Sequence, residues 1–126
     1  VIEVVAISFS VMKDKLLDGT KTQTIRPFRT EKRYIQIRKA KNLEIYWKQR
    51  TPECEKLFDA ELTEVIPIHN ILNPGEWLKQ NCEDIAKRDG FDSWRECLGW
   101  LVYTYTYEMQ EFGGGFMVIR FKRKNG

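Results

Sequence analysis

Eight consecutive residues, Gly19-Thr20-Lys21-Thr22-Gln23-Thr24-Ile25-Arg26, gather an amine, three hydroxyls, an amide and a guanidinium beside a glycine and just ahead of Pro27. Lys and Arg donors match phosphate oxygens, and hydroxyls add short neutral donors, so the stretch suits an anion. It also suits catalysis, provided burial lowers the Lys21 pKa far enough for the amine to act as a base near a hydroxyl. The same composition fits a solvated edge strand with ordinary charges.

A second basic stretch follows at once. Arg26, Arg29, Lys32, Arg33, Arg38, Lys39 and Lys41 are offset only by Glu31, with Tyr34 set among them. Charge for phosphates and a ring for stacking are what a nucleic-acid surface needs. An exposed loop that is merely soluble reads the same way. Arg33 to Arg38 has room for a short strand. Lys48, Gln49 and Arg50 close the next strand, Leu43 to Trp47, at the kind of element end where functional side chains sit on a rigid frame.

The elements that must position these groups follow from periodicity. Ile2 to Phe9 is nearly all apolar and predicts a strand buried on both faces. Ser10 is placed to cap a short helix, Val11 to Asp18, and Gly19 to end it in the left-handed conformation. If the motif then runs extended, Thr22, Thr24 and Arg26 face one side and Lys21 and Gln23 the other. Lys21 and Thr24 share a site only if the chain turns or twists between them. Phe58 to Ile68 alternates as a half-buried strand, Asn73-Pro74-Gly75-Glu76 breaks the chain, and Trp77 to Arg88 has a helical apolar face. After the Asp89-Gly90 hinge, Ser93 and Glu96 form a capping-box pattern. The helix it opens carries Trp94, Cys97, Leu98, Leu101, Val102 and Tyr105 inward. Gly113-Gly114-Gly115 is a break without the features of a phosphate loop, and Phe116 to Phe121 is the closing strand.

Gly19-x-Lys21-x-x-Thr24-x-Arg26, following Leu16-Leu17-Asp18, resembles the Gly-x-Lys-x-x-Thr-x-Arg motif of the ASCH family, part of the PUA-like group of small β-barrels. The likeness continues through Leu43-Glu44-Ile45-Tyr46-Trp47, Ala60-Glu61-Leu62-Thr63-Glu64-Val65, Asp89-Gly90-Phe91 and the closing strand. It implies an α+β fold: a mixed β-barrel of about five to six strands with two to three flanking helices, in one domain over residues 1–126. Some small bacterial ASCH proteins are amidohydrolases that remove the acetyl group from N(4)-acetylcytidine with the motif Lys and Thr and a distant Glu. The resemblance implies Thr24 as nucleophile and Lys21 as its base or oxyanion partner. Asp89 takes the place of the Glu, with an arm one methylene shorter. The added basic segment favours a polymer over a free nucleoside. The expectation is therefore an RNA-binding domain recognising modified or single-stranded RNA. Its cleft is organised by Lys21, Thr24 and Arg26, with Arg29, Arg33, Tyr34, Arg38, Lys48 and Arg50 as contacts; the alternative is an amidohydrolase on an acylated nucleoside.

Bulk properties narrow the class. The 126 residues suit one domain, and 42% apolar with 31% charged content reads as soluble and globular. No apolar run approaches the roughly 20 residues that span a bilayer, and Val1 to Ser10 lacks the basic lead-in and cleavage site of a signal peptide. Cys54, Cys82 and Cys97 are odd in number and widely spaced, which predicts reduced thiols and a cytoplasmic setting. With one histidine, His69, and no C-x-x-C, neither a metal nor another cofactor is expected. The net charge of +3 conceals local balances of +7 over residues 1–50, −8 over 51–115 and +4 over the remainder. Such segregation produces a basic face, or else salt bridges between the segments.

Overall fold

The structure, a computed structural model, describes residues 4–112 and 115–124. The expected start of the first strand at Ile2 and the glycines Gly113 and Gly114 lie outside them. In chain order the elements are β1 (Val4–Phe9), α1 (Lys13–Asp18), β2 (Gln23–Pro27), α2 (Glu31–Lys39), β3 (Asn42–Trp47), β4 (Glu55–Ile68), α3 (Glu76–Arg88), α4 (Trp94–Thr104), α5 (Thr106–Phe112) and β5 (Phe116–Arg123). The strands form one sheet in the order β1-β3-β4-β5-β2, with β1 parallel to β3 and the other pairs antiparallel. The sheet curls into a half-barrel whose free edges are β1 and β2. Across that seam, the Arg26 guanidinium on β2 donates to the Ser8 carbonyl on β1.

β5 shows why the sheet must be covered on both sides. Met117, Ile119 and Phe121 enter one core with Val5, Ile7, Leu43 and Ile45. Phe116 and Val118 enter another with Ile25, Ile85, Cys97 and Leu101. Side chains alternate across a strand, so a run apolar at every position needs partners on each face. The first core is closed by α1 and α2 through Leu16 and Ile37, and the second by α3 and α4. Among the described residues no helix is long and apolar enough to cross a membrane.

Three local expectations are corrected. The segment from Arg33 to Arg38 is not a strand but the middle of α2, because Thr30 caps it by accepting from the Arg33 amide and because Ile37 fits the core one turn after Tyr34. Ser10 does not cap α1; Met12 occupies the cap position at φ 63 with no side-chain bond. The last helix breaks at Tyr105 into α4 and α5, and Val102 is exposed rather than buried. The new α2 and the split helix raise the helical segments to five among the described residues, against two to three expected. The Ser93 cap does form, accepting from the Glu96 amide, while Glu83 of α3 takes the Trp94 amide and so welds the two helices.

Candidate functional site

α1 ends on Gly19, whose left-handed φ of 85 turns the chain back on itself. Before β2 begins, Lys21 and Thr22 are held by three different elements: Lys21 N donates to Lys15 O, Thr22 N to Arg88 O, and Phe121 N to Thr22 O. This short bridge supplies the twist that strict strand alternation lacks. Lys21, Gln23 and Thr24 all end up buried, at 4%, 0% and 5% exposure, and Asp89 joins them at 2%.

Asp89 closes α3, where the helix dipole disfavours a negative charge, so it needs compensation from elsewhere. Lys21 provides it. Its Nζ donates to the Asp89 carbonyl at 2.7 Å and to Oδ2 at 3.1 Å. Gln23 Nε2 donates to Asp89 Oδ1 at 3.2 Å and to Ile85 O at 2.8 Å, and Gln23 Oε1 accepts from Arg120 Nε at 3.1 Å. Arg120 in turn meets Glu64 and Asp84 at the surface. Arg26 Nε donates to Thr24 Oγ1 at 2.8 Å. The Phe9 ring lies under both cations, 5.6 Å from Lys21 Nζ and 5.0 Å from the Arg26 guanidinium carbon.

Lys21, Thr24, Arg26 and Asp89 line one hollow of about 90 Å³, walled by Trp100 and Tyr105. Ser8, Arg26 and Tyr105 also line a second hollow of about 260 Å³, with Arg29, Arg33 and Gln49 around it and Ile7, Ile37, Met117 and Ile119 as its apolar floor. Ser8, Arg26 and Tyr105, common to both linings, thus form the partition between an inner and an outer chamber.

Burial is the strongest influence on the charged pair. It lowers the Lys21 pKa and raises that of Asp89, and the attraction between the two pulls each back toward its charged form. Two of the three ammonium protons are committed to Asp89, which leaves one donor for a ligand. Thr24 accepts from Arg26 and keeps its own O–H to donate. Burial raises the Tyr105 pKa, with Arg26 opposing, and holds the Cys97 thiol behind the site firmly protonated.

No protein-family model matches the chain, and no curated protein matches its sequence. Solved structures do. The crystal structure of hypothetical protein PH0355 superposes with a TM-score of 0.59 at 11% identity, covering 96% of this chain and 99% of that one. An ASCH domain from Lactobacillus crispatus JV V101 superposes with a TM-score of 0.57 at 18% identity, covering 96% of this chain and 79% of that one. The chain has the ASCH, PUA-like fold.

Within the ASCH fold the expected residues divide by place. Lys21, Thr24, Arg26 and Asp89 meet in the inner hollow, and Arg29 and Arg33 join Arg26 around the outer one. Tyr34, Arg38, Lys48 and Arg50 line neither. Tyr34 packs on Phe28 with ring centroids 4.9 Å apart and carries Arg38 over its ring. Arg38 lines a separate open groove with Glu61, Glu64 and Lys124. Lys48 pairs with Glu53, and both Lys48 and Arg50 have left-handed backbones in the turn after β3. Sequence reasoning missed Gln23 as the link from Asp89 to Arg120, although period-two alternation put it on the Lys21 side. Nothing in the sequence marks Ser8, Trp100 or Tyr105 as walls. Among the described residues no group of three or more His, Cys, Asp or Glu is placed to hold a metal ion.

Proposed function

We propose that this ASCH-fold domain binds RNA in single-stranded or looped form, with a base, ordinary or modified, directed at the hollows beside Arg26 and phosphates held on the adjacent basic surface. One observation carries the reading: α2, which borders the outer hollow, presents Lys32, Arg33, Arg38 and Lys39 with no ion pair to any of them among the described residues. Elsewhere the segregated charges do neutralise one another, as in Lys13–Glu55 and Arg120–Glu64. Cations left in water beside a concave site gain most from a polyanion, through released counterions. The inner hollow adds what reads a base: one spare ammonium proton, a hydroxyl and flat walls from Trp100 and Tyr105.

The test is fluorescence anisotropy of a labelled single-stranded RNA across a salt series. Affinity should fall with salt at a log–log slope of about −0.7 per neutralised phosphate, and Arg33→Gln with Arg38→Gln should flatten that slope by up to about 1.4. Affinity that is absent, or indifferent to salt, removes the proposal.

A second reading, hydrolysis of an acylated nucleoside, is favoured by the burial that lowers the Lys21 pKa beside the Thr24 hydroxyl. Thr24 Oγ would attack the amide carbonyl and pass its proton to Lys21, and the C–N bond would break as Lys21 returns that proton to the departing cytosine amine. Water would then hydrolyse the Thr24 ester to acetate, and Asp89 would hold the Lys21 amine in place. Acetate release from N(4)-acetylcytidine by the wild type, abolished in Thr24→Val, is the expected result. An untouched panel of acylated nucleosides disposes of it.

A further inference from the structure

Arg29 lines the outer hollow, yet its guanidinium is already engaged, since Nη2 donates to Glu108 Oε1 at 2.8 Å. The partners come from separate parts of the chain. Arg29 lies between β2 and α2, and Glu108 lies on α5, just past the break at Tyr105, a residue that walls both hollows. The Arg29 side chain is 56% exposed and that of Glu108 17%, so the carboxylate sits tucked under a guanidinium that water still reaches. The Arg29 bond also holds the Glu108 carboxyl below the usual range, so it is ionised at neutral pH. Pairs as open as this add little to folding. What a carboxylate offers a guanidinium, two oxygens in one plane, a phosphate offers equally well. Arg33, four residues on, has no acidic partner among the described residues, and its guanidinium donates to Gln36.

We propose that Arg29 is a phosphate subsite which Glu108 occupies in the free protein as a built-in stand-in anion. A ligand then gains Arg29 only by bringing a phosphate that displaces the carboxylate. The inference rests on the RNA reading of this surface and narrows it: the ligand is a phosphorylated unit, such as a nucleotide residue within a chain, and a bare nucleoside leaves the Arg29–Glu108 pair closed. Glu108 is on this account a selectivity residue that costs affinity only for a ligand whose phosphate displaces it.

The experiment measures a labelled single-stranded RNA against wild type, Glu108→Gln, Arg29→Gln and the double variant over a salt series, with Glu108→Ser as a second variant and thermal unfolding as the folding control. Glu108→Gln should bind RNA severalfold tighter at the wild-type log–log salt slope, because the phosphate on Arg29 is neutralised in both proteins and only the cost of displacing the carboxylate is gone. Arg29→Gln and the double variant should share one shallower slope, and cytidine binding should be the same in wild type and Glu108→Gln. If the carboxylate merely braces Arg29, Glu108→Gln and Glu108→Ser bind RNA no more tightly than wild type, and the proposal is overturned while the RNA reading stands. If neither wild type nor Glu108→Gln binds RNA at low salt, both fall. Binding gained by Glu108→Gln alone supports both.

Discussion

Replacing Asp89 with Asn strips the counterion from a lysine that is almost wholly buried. The two side chains are 4% and 3% exposed, with Nζ 3.1 Å from Oδ2. At an effective dielectric constant near 20, that separation corresponds to about 5 kcal/mol of attraction. Removing one member of a buried pair typically costs about 3–5 kcal/mol. A ceiling follows from the lysine's other option, which is to shed its proton: from a free value near 10.4, neutralisation at pH 7 costs about 5 kcal/mol, and at pH 9 only about 2 kcal/mol. The loss in Asp89→Asn should therefore be about 3–5 kcal/mol at pH 7 and should shrink as pH rises. The sign agrees with linkage. Burial lowers the Lys21 pKa, and the Asn variant loses the Asp89 attraction that raises it back. A depressed lysine destabilises the fold at pH values below its unfolded pKa and stops doing so as pH climbs toward that value. Urea unfolding at pH 7 and pH 9 reads both effects. With a slope of about 1–3 kcal/mol per molar for a small protein, the pH 7 midpoint should fall by roughly 1 M or more. Adding Lys21→Met to Asp89→Asn should restore most of the loss, because the orphaned cation is gone. A variant within about 1 kcal/mol of wild type at pH 7, with no change at pH 9, would refute the reasoning.

Two further substitutions probe the frame around the pair. Gly90 has φ +94, and a Cβ there would lie 2.8 Å from Met12 Sδ and 3.2 Å from Lys15 Cδ, whereas at Gly19, φ +85, nothing lies within 4 Å. Gly19→Ala should cost about 1–2 kcal/mol for the left-handed backbone alone, and Gly90→Ala clearly more; equal melting temperatures would contradict the contact. Burial raises the Tyr105 pKa, so the amplitude lost from an alkaline absorbance titration in Tyr105→Phe should lie above pH ~10, and a loss centred at pH ~10 would place that phenol in water.

Local signals carried much of the fold. β5 and β3 were legible because continuous or branched apolar runs between breakers leave few alternatives, and Gly19 because a helix end asks for a residue without Cβ. α2 was not. Its core contact rests on Ile37 with Tyr34 beside it, too sparse a pattern to outvote the charges around it, while the Thr30 cap is a single residue. Within the site, Lys21, Thr24 and Asp89 came from the resemblance of a motif, but Gln23 needed knowledge that Arg120 lies across β2, a pairing 97 residues away in sequence. Long-range polar links of this kind leave no period to read. The break at Tyr105 is likewise set by what it packs against, Trp100 and Phe116, rather than by a glycine or proline.

The seam decides which arginine a ligand can use. β1 and β2 are the unpaired edges of the sheet, and an unpaired edge carries carbonyls and amides in need of partners. Arg26 supplies one by donating to Ser8 O, while its Nε is spent on Thr24 and its face on Phe9. A guanidinium engaged on three sides is poorly placed to follow a ligand, and removing it would loosen the sheet edge and merge the two hollows together. Loss of binding in an Arg26 variant therefore reports on architecture first. Arg33 is the opposite case: exposed, capped to nothing acidic, and on a helix whose own stability comes from Thr30 and Ile37. Although Arg26 belongs to the motif and Arg33 does not, charge available for binding resides with Arg33. On the RNA reading proposed above, the motif's arginine builds the chamber, and the arginine left free to meet a phosphate lies outside the motif.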